Sequence, residues 1–185
     1  MPKQTLAKQS YVPTLLDLFR QYGYDGVSLS KISEATGLGK ASLYHHFPGG
    51  KDDMVETVLT SLDRWLRETA EDALDGEGDA LTRLGRMGDR IATAYSHGEK
   101  PCMLASLMLG SAKDDFQPQV KAMLERWMGA IAAVLTQGGM DAALAQDRSE
   151  EALVIIQGAL IVARALNDPA VFERAMERLP QQLCR

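Results

Sequence analysis

An all-α fold is predicted for this 185-residue chain by three observations. Apolar residues recur at three- and four-residue spacing almost throughout. No stretch alternates apolar with polar residues or clusters β-branched residues between turn signals. Breaks at "YGYDG", "PGG", "LDGEGDA", "HGEKP" and "QGGM" then divide the chain into helices. The first is expected over 10–22, with Leu15, Leu18, Phe19 and Tyr22 on one face. Pro13 fits its first turn if Ser10 is the N-cap, but would kink a helix that began near Thr5. Ser28 caps a short second helix that buries Leu29, Ile32 and Ala35 and stops at Gly37. A third covers 39–46 and buries Leu38, Leu43 and Phe47. A long helix is expected over 51–74, with Asp52 and Asp53 favourable beside its N-terminal partial positive charge. Further helices are expected at 79–97, 101–110, 116–137 and 148–167, and a last one from Pro169 to Pro180.

The length allows a sizeable core, as one domain or as a small domain joined to a larger one. No run of eighteen apolar residues marks a membrane span, and "MPKQTLAKQS" lacks the apolar stretch of a signal peptide, so a cytoplasmic protein is expected. Cys102 and Cys184 are far apart and in no C-x-x-C spacing, which argues for free thiols. No nucleophile–base pair, phosphate loop or metal-ligand spacing is present, so neither an enzyme nor a cofactor is expected. The neighbouring His45 and His46 point about 100° apart on a helix, which argues against a metal site.

The net charge of −5 hides an asymmetry. Residues 1–51 hold six Lys/Arg against three acids, a net +3, and the remaining 14 against 22 leave the rest at −8. A basic head on an acidic body suits a polyanion-binding module fused to something else. Two short helices joined by a glycine turn, behind a longer first helix, make a helix-turn-helix. Its second helix would enter the DNA major groove, where close approach needs small residues, and hydrogen bonding needs hydroxyls and cations. Gly39, Lys40, Ala41, Ser42, Tyr44 and His45 supply that mix, while Leu38, Leu43 and Phe47 take the buried side.

The string "LFRQYGYDGVSLSKISEATGLGKASLYHHFPGGKDDMV" closely resembles the N-terminal segment of TetR-family transcriptional regulators, and "HHFPGGKDDMV" resembles their LmrA/YxaF-type subgroup. The resemblance implies an N-terminal three-helix DNA-binding domain over 1–50 and a helical ligand-binding and dimerisation domain over 51–185. It implies phosphate contacts from Ser28, Tyr44, His45 and Lys51, and base contacts from Lys40 and Ser42. It also implies repression of a palindromic operator, relieved by a small molecule.

Dimers of such modules span half-sites about 34 Å apart. Small residues in "EEALVIIQGALIVARALND", followed by "PAVFERAMERL", suit a self-association surface, as does a buried core helix. The resemblance favours the homodimer, with Leu153, Ile156, Gly158, Ala159, Leu160, Ala163, Val171, Phe172 and Ala175 at the interface. For an apolar or aromatic effector the candidate lining is Met87, Ile91, Tyr95, Met103, Leu104, Leu107, Met108, Leu124, Trp127, Met128 and Ile131. Relatives of the LmrA/YxaF type respond to drug-like or flavonoid-like compounds, which gives the first class to test. Release would require the effector to favour the non-binding state by about 1–3 kcal/mol. The same residues are compatible with an effector-independent DNA-binding factor or an activator.

Overall fold

Amphipathic periodicity is realised as helix after helix in the computed structural model, which describes residues 3–185, with side chains from Lys8 onward. In order these are α1 (Lys3–Gly26), α2 (Leu29–Thr36), α3 (Lys40–His46), α4 (Lys51–Trp65), a π-helical segment (Leu66–Glu71) and α5 (Asp72–Asp75). There follow α6 (Ala80–Ala94), a tight turn (Ser96–Gly98), α7 (Met103–Met108), α8 (Lys113–Gln137), α9 (Ala142–Leu166) and α10 (Ala170–Leu183). No strand occurs among the described residues. Two compact units result, one of residues up to Arg64 together with Met103–Val120, the other of Trp65–Cys102 with Lys121–Arg185. They do not coincide with a division at residue 50.

In the first unit, Val12, Leu15 and Phe19 of α1, Ile32 of α2, Leu43 of α3, Phe47, and Met54, Val55, Val58 and Leu59 of α4 are buried. Helix α1 begins well before residue 10 and continues across Pro13. Proline removes one backbone donor there, but Val12 and Leu15 on either side are both in the core. Helical geometry is interrupted by a kink at Gly23, whose φ is 64°. Ser28 caps α2 by accepting from the Lys31 amide at 3.2 Å. Gly37 ends α2 with φ 72°, a left-handed conformation open to glycine without a Cβ penalty. Two hydroxyls brace the turn that follows: Ser33 Oγ donates to the Leu38 carbonyl, and Thr36 Oγ1 to the Ile32 carbonyl at 2.7 Å.

Helix α7 packs on α1, where Ser106 Oγ donates to the Arg20 carbonyl at 3.2 Å. The Asp25 carboxylate accepts from both the amide (2.8 Å) and the hydroxyl of Ser111.

In the second unit the long helix expected to 74 is α-helical only to Trp65, then widens into the π-helical segment and closes as α5. Three arginines of α6 hold this end: Arg90 donates to the Thr69 carbonyl, Arg86 to that of Ala73 (3.4 Å) and Arg83 to that of Leu74. Carbonyls in a last helical turn lack intrahelical partners, and cations there oppose the helix dipole favourably. Gly76 leaves room for this, since a Cβ built on it would lie 2.7 Å from Nη2 of Arg86. The adjoining face of α6, about 100° round from these arginines, buries Leu84, Met87 and Ile91.

Besides α1, three more helices extend beyond their expected limits. Helix α8 starts at Lys113 and takes in Pro118. Helix α9 starts at Ala142 because the Asp141 carboxylate accepts from the amides of Ala143 (2.9 Å) and Leu144 (3.3 Å). Helix α10 passes Pro180 because Leu179 and Leu183 are both fully buried. Cys102 is buried, outside any disulfide, and accepts from the Tyr95 hydroxyl at 3.3 Å, and Cys184 is exposed.

The bonds from Ser111 hold the Asp25 carboxyl below its ordinary value of 3.8. A depressed carboxyl stabilises the fold above its unfolded pKa, and that stabilisation is lost as pH falls through the folded one. Asp25→Asn is therefore expected to lower the thermal midpoint at pH 6, by an amount that shrinks as pH drops below 3.8. A deficit independent of pH would contradict the Asp25–Ser111 tie.

Candidate nucleic-acid interface

What α3 presents outward follows from what it buries. Leu43 is 1% exposed and Phe47 0%. Successive residues turn by about 100°, so the other positions of this seven-residue helix up to His45 face out. Gly39, Lys40, Ala41, Ser42, Tyr44 and His45 are all exposed, as the sequence suggested. One short face thus combines an ammonium, two hydroxyls and an imidazole with small residues that permit close approach. Beside it, Ser30, Ser33, Glu34, Gly37, Leu38, Gly39 and Lys40 line a concavity. Ser28 is also exposed. Its oxygen is used by the Lys31 amide, and its hydroxyl hydrogen remains available to an acceptor such as a phosphate oxygen.

His46 points away from that face and is half-buried. Its ring lies 5.4 Å from that of Tyr11 and 6.5 Å from that of Phe47. The rings of His45 and His46 are 5.5 Å apart and inclined at 69°. No group of three or more metal-capable side chains gathers among the described residues.

Lys51, to which the resemblance gives a phosphate contact, is half-buried at the start of α4. Its ammonium donates to the carbonyls of Tyr24 (2.9 Å) and Val27 (3.2 Å) and sits 3.9 Å from the centre of the Tyr24 ring. Carbonyls at and just after a helix end lack the full set of helical partners, and Lys51 binds one in the last turn of α1 and one just beyond it. Next to it, the Tyr24 hydroxyl donates to Asp52. Burial, then the hydrogen bond and charge of Asp52, push this phenol up to about 12, so it stays protonated as the donor. Sequence reasoning missed a third contact in the same turn, from Lys8 to Asp53 at 2.8 and 3.0 Å. No local spacing announces a pair separated by 45 positions.

The expected effector-lining residues are distributed over both units. Met87, Ile91, Trp127 and Ile131 are buried in the second, with Tyr95, Leu124 and Met128 half-buried. Trp127 Nε1 donates to the Met87 sulfur at 3.3 Å. Met103 and Leu107 are buried in the first unit, with Leu104 and Met108 half-buried.

The expected self-association residues also separate. Ile156, Leu160, Ala163 and Phe172 are 0–2% exposed within the single chain, so they are core residues and present no outward surface. Leu153, Ala159, Val171 and Ala175 are half-buried, and Gly158 is exposed. The outward large apolar residues of α9 are Leu144, Val154 (71%), Ile161 (64%), Val162 and Leu166 (65%), which sequence reasoning did not single out.

Comparison with known proteins places these features. Residues 14–58 match the family model described as bacterial regulatory proteins, tetR family. Residues 80–178 match the transcriptional regulator LmrA/YxaF-like C-terminal domain. The HTH-type transcriptional regulator LmrA of Bacillus subtilis is 22% identical over 150 residues, covering 79% of this chain and 80% of that protein. The transcriptional regulator AcuR of Cereibacter sphaeroides is 28% identical over 158 residues, covering 82% and 71%. Among solved structures, a cysteine mutant of the TetR-family regulator CifR, complexed with a 26-base-pair operator DNA, superposes with a TM-score of 0.77 at 16% identity, covering 98% and 96%.

Proposed function

We propose that this chain, which belongs to the TetR family of bacterial regulatory proteins and carries their LmrA/YxaF-like C-terminal domain, is a cytoplasmic homodimeric repressor released from a palindromic operator by a small apolar or aromatic effector. As a member of that family it is a transcriptional regulator with a DNA-binding domain and not an enzyme. Among the described residues no helix is long and apolar enough to cross a membrane. The observation that carries the reading is the outward face of α3, polar and small-residued from Gly39 to His45 over a fully buried Leu43 and Phe47.

On this reading Lys40 and Ser42 meet base edges, where ammonium and hydroxyl groups discriminate donors from acceptors. Tyr44, His45 and Ser28 meet phosphates and fix the register, and Gly39 and Ala41 let the helix approach. The exposed Val154, Ile161 and Leu166 support α9 as the self-association surface, because a contiguous apolar face left in water favours burial against a partner. The apolar interior around Met87, Ile91 and Trp127 supports an apolar effector. Its effect would reach the DNA-binding part along the chain, which passes between the units at 64–65, 102–103 and 120–121.

Selection from a random-sequence duplex pool, followed by challenge with flat aromatic and lipophilic cationic compounds, tests this reading. One palindromic duplex, released by one compound class, is the expected result; a selected duplex that no compound releases favours the effector-independent factor. Lys40→Ala is expected to cost about 1–3 kcal/mol of binding and relax preference at one base pair. A uniform loss across sequences would make Lys40 a phosphate contact instead. For self-association, Ile161→Asp is expected to yield a helical monomer by sedimentation equilibrium at micromolar concentration. An unaffected dimer would place the interface elsewhere.

A further inference from the structure

The first turn of α4 reads Lys51-Asp52-Asp53, and each of its three charged groups is engaged with α1 or the residue just after it. Lys51 Nζ donates to the carbonyls of Tyr24 and Val27, Asp52 accepts from the Tyr24 hydroxyl, and Asp53 accepts twice from Lys8 Nζ. The Lys8–Asp53 pair is largely withdrawn from water, with side chains 24% and 21% exposed. Lys8 also lies 5.2 Å from the centre of the Phe47 ring, the residue that caps the end of α3. Between α3 and α4 only Phe47, Pro48, Gly49 and Gly50 intervene, and Gly49 lies against α4, where a Cβ built on it would come 3.1 Å from the Asp53 Cβ. A helix of seven residues has little packing surface of its own. Its direction is therefore set by the Phe47 anchor and by the short link to α4.

We infer that Lys8, Asp53, Asp52 and Tyr24 form a positioning clamp between α1 and α4 that aims α3, so that operator affinity depends on the Lys8–Asp53 pair, which does not meet the DNA. This rests on α3 being the DNA-contacting helix. It assigns Lys8 of a basic segment to the interior of the segment and not to phosphate, and it separates geometry from charge in a way that can be measured.

The sign of one substitution is decisive. Asp53→Asn removes a negative charge, and charge alone would tighten binding to any duplex. The clamp requires the opposite for the duplex that the unaltered chain selects from a random pool: about tenfold weaker binding, with a scrambled duplex of equal length bound no less tightly. Lys8→Met is expected to give the same loss on the selected duplex and an unchanged slope of log Kd against log salt. The double variant should be no worse than either single one, because both remove the same tie. Exchanging the charges, Lys8→Asp with Asp53→Lys, should restore most of the affinity.

Tighter binding of both duplexes by Asp53→Asn would overturn the clamp. So would a loss on both duplexes in Lys8→Met with the slope reduced by about 0.9, the mark of a phosphate contact. A lowered thermal midpoint with both affinities intact would reduce the cluster to a stability role and overturn it equally. If the unaltered chain selects no duplex, the reading of α3 falls first and the clamp falls with it.

Discussion

Burial of Phe47 is the constraint on which the first unit turns. Its ring is at 0% exposure, beside Tyr11 and beneath the Lys8 ammonium, at the point where α3 ends and the link to α4 begins. With Leu43 one turn earlier, it fixes which side of α3 is inside. The outward composition from Gly39 to His45 has meaning only because of that rotation: a helix turned by 100° would bury Tyr44 and expose Leu43. Loss of such a ring from a closed core costs about 3–5 kcal/mol, a large part of the stability of a small domain.

Electrostatics in the same unit is less generous than the residue count suggests. Lys8 neutralises Asp53, Lys51 caps carbonyls at the end of α1, and Lys31 lies over the Tyr22 ring while donating to the Gly26 carbonyl. Lys40 is the exposed lysine of α3 itself. Polyanion attraction on this reading comes from a few placed groups and not from a diffuse field. The second unit spends its charges in the same internal manner, with Arg83, Arg86 and Arg90 on carbonyls and Arg126 on Glu71 at 2.9 Å.

Much of this was legible in the sequence because helical periodicity and glycine punctuation are local. The α2–turn–α3 arrangement follows from Ser28, Gly37 and the Leu43–Phe47 spacing, and the outward residues of α3 follow by subtraction. Limits were less legible where proline sits near an expected helix limit: at Pro13 and Pro180 the buried neighbours outweigh the lost donor. The start of α9 was missed because an aspartate cap at Asp141 outweighs the polar look of the turn that follows. The outward side of α9 was unreadable for a different reason. Apolar residues surround that helix, so periodicity cannot choose Val154 and Ile161 over Ile156 and Leu160. Partners distant in the chain, such as Lys8 and Asp53, leave no mark in a single sequence.

The central claim is that the outward face of α3 is the surface that meets DNA. A photo-crosslinking side chain placed at Ser42, and for comparison at the exposed Glu56 of α4, tests it with the selected duplex. The account predicts efficient, salt-sensitive cross-links from position 42 and none from position 56. Cross-links from 56 without any from 42 would contradict it and move the interface off α3.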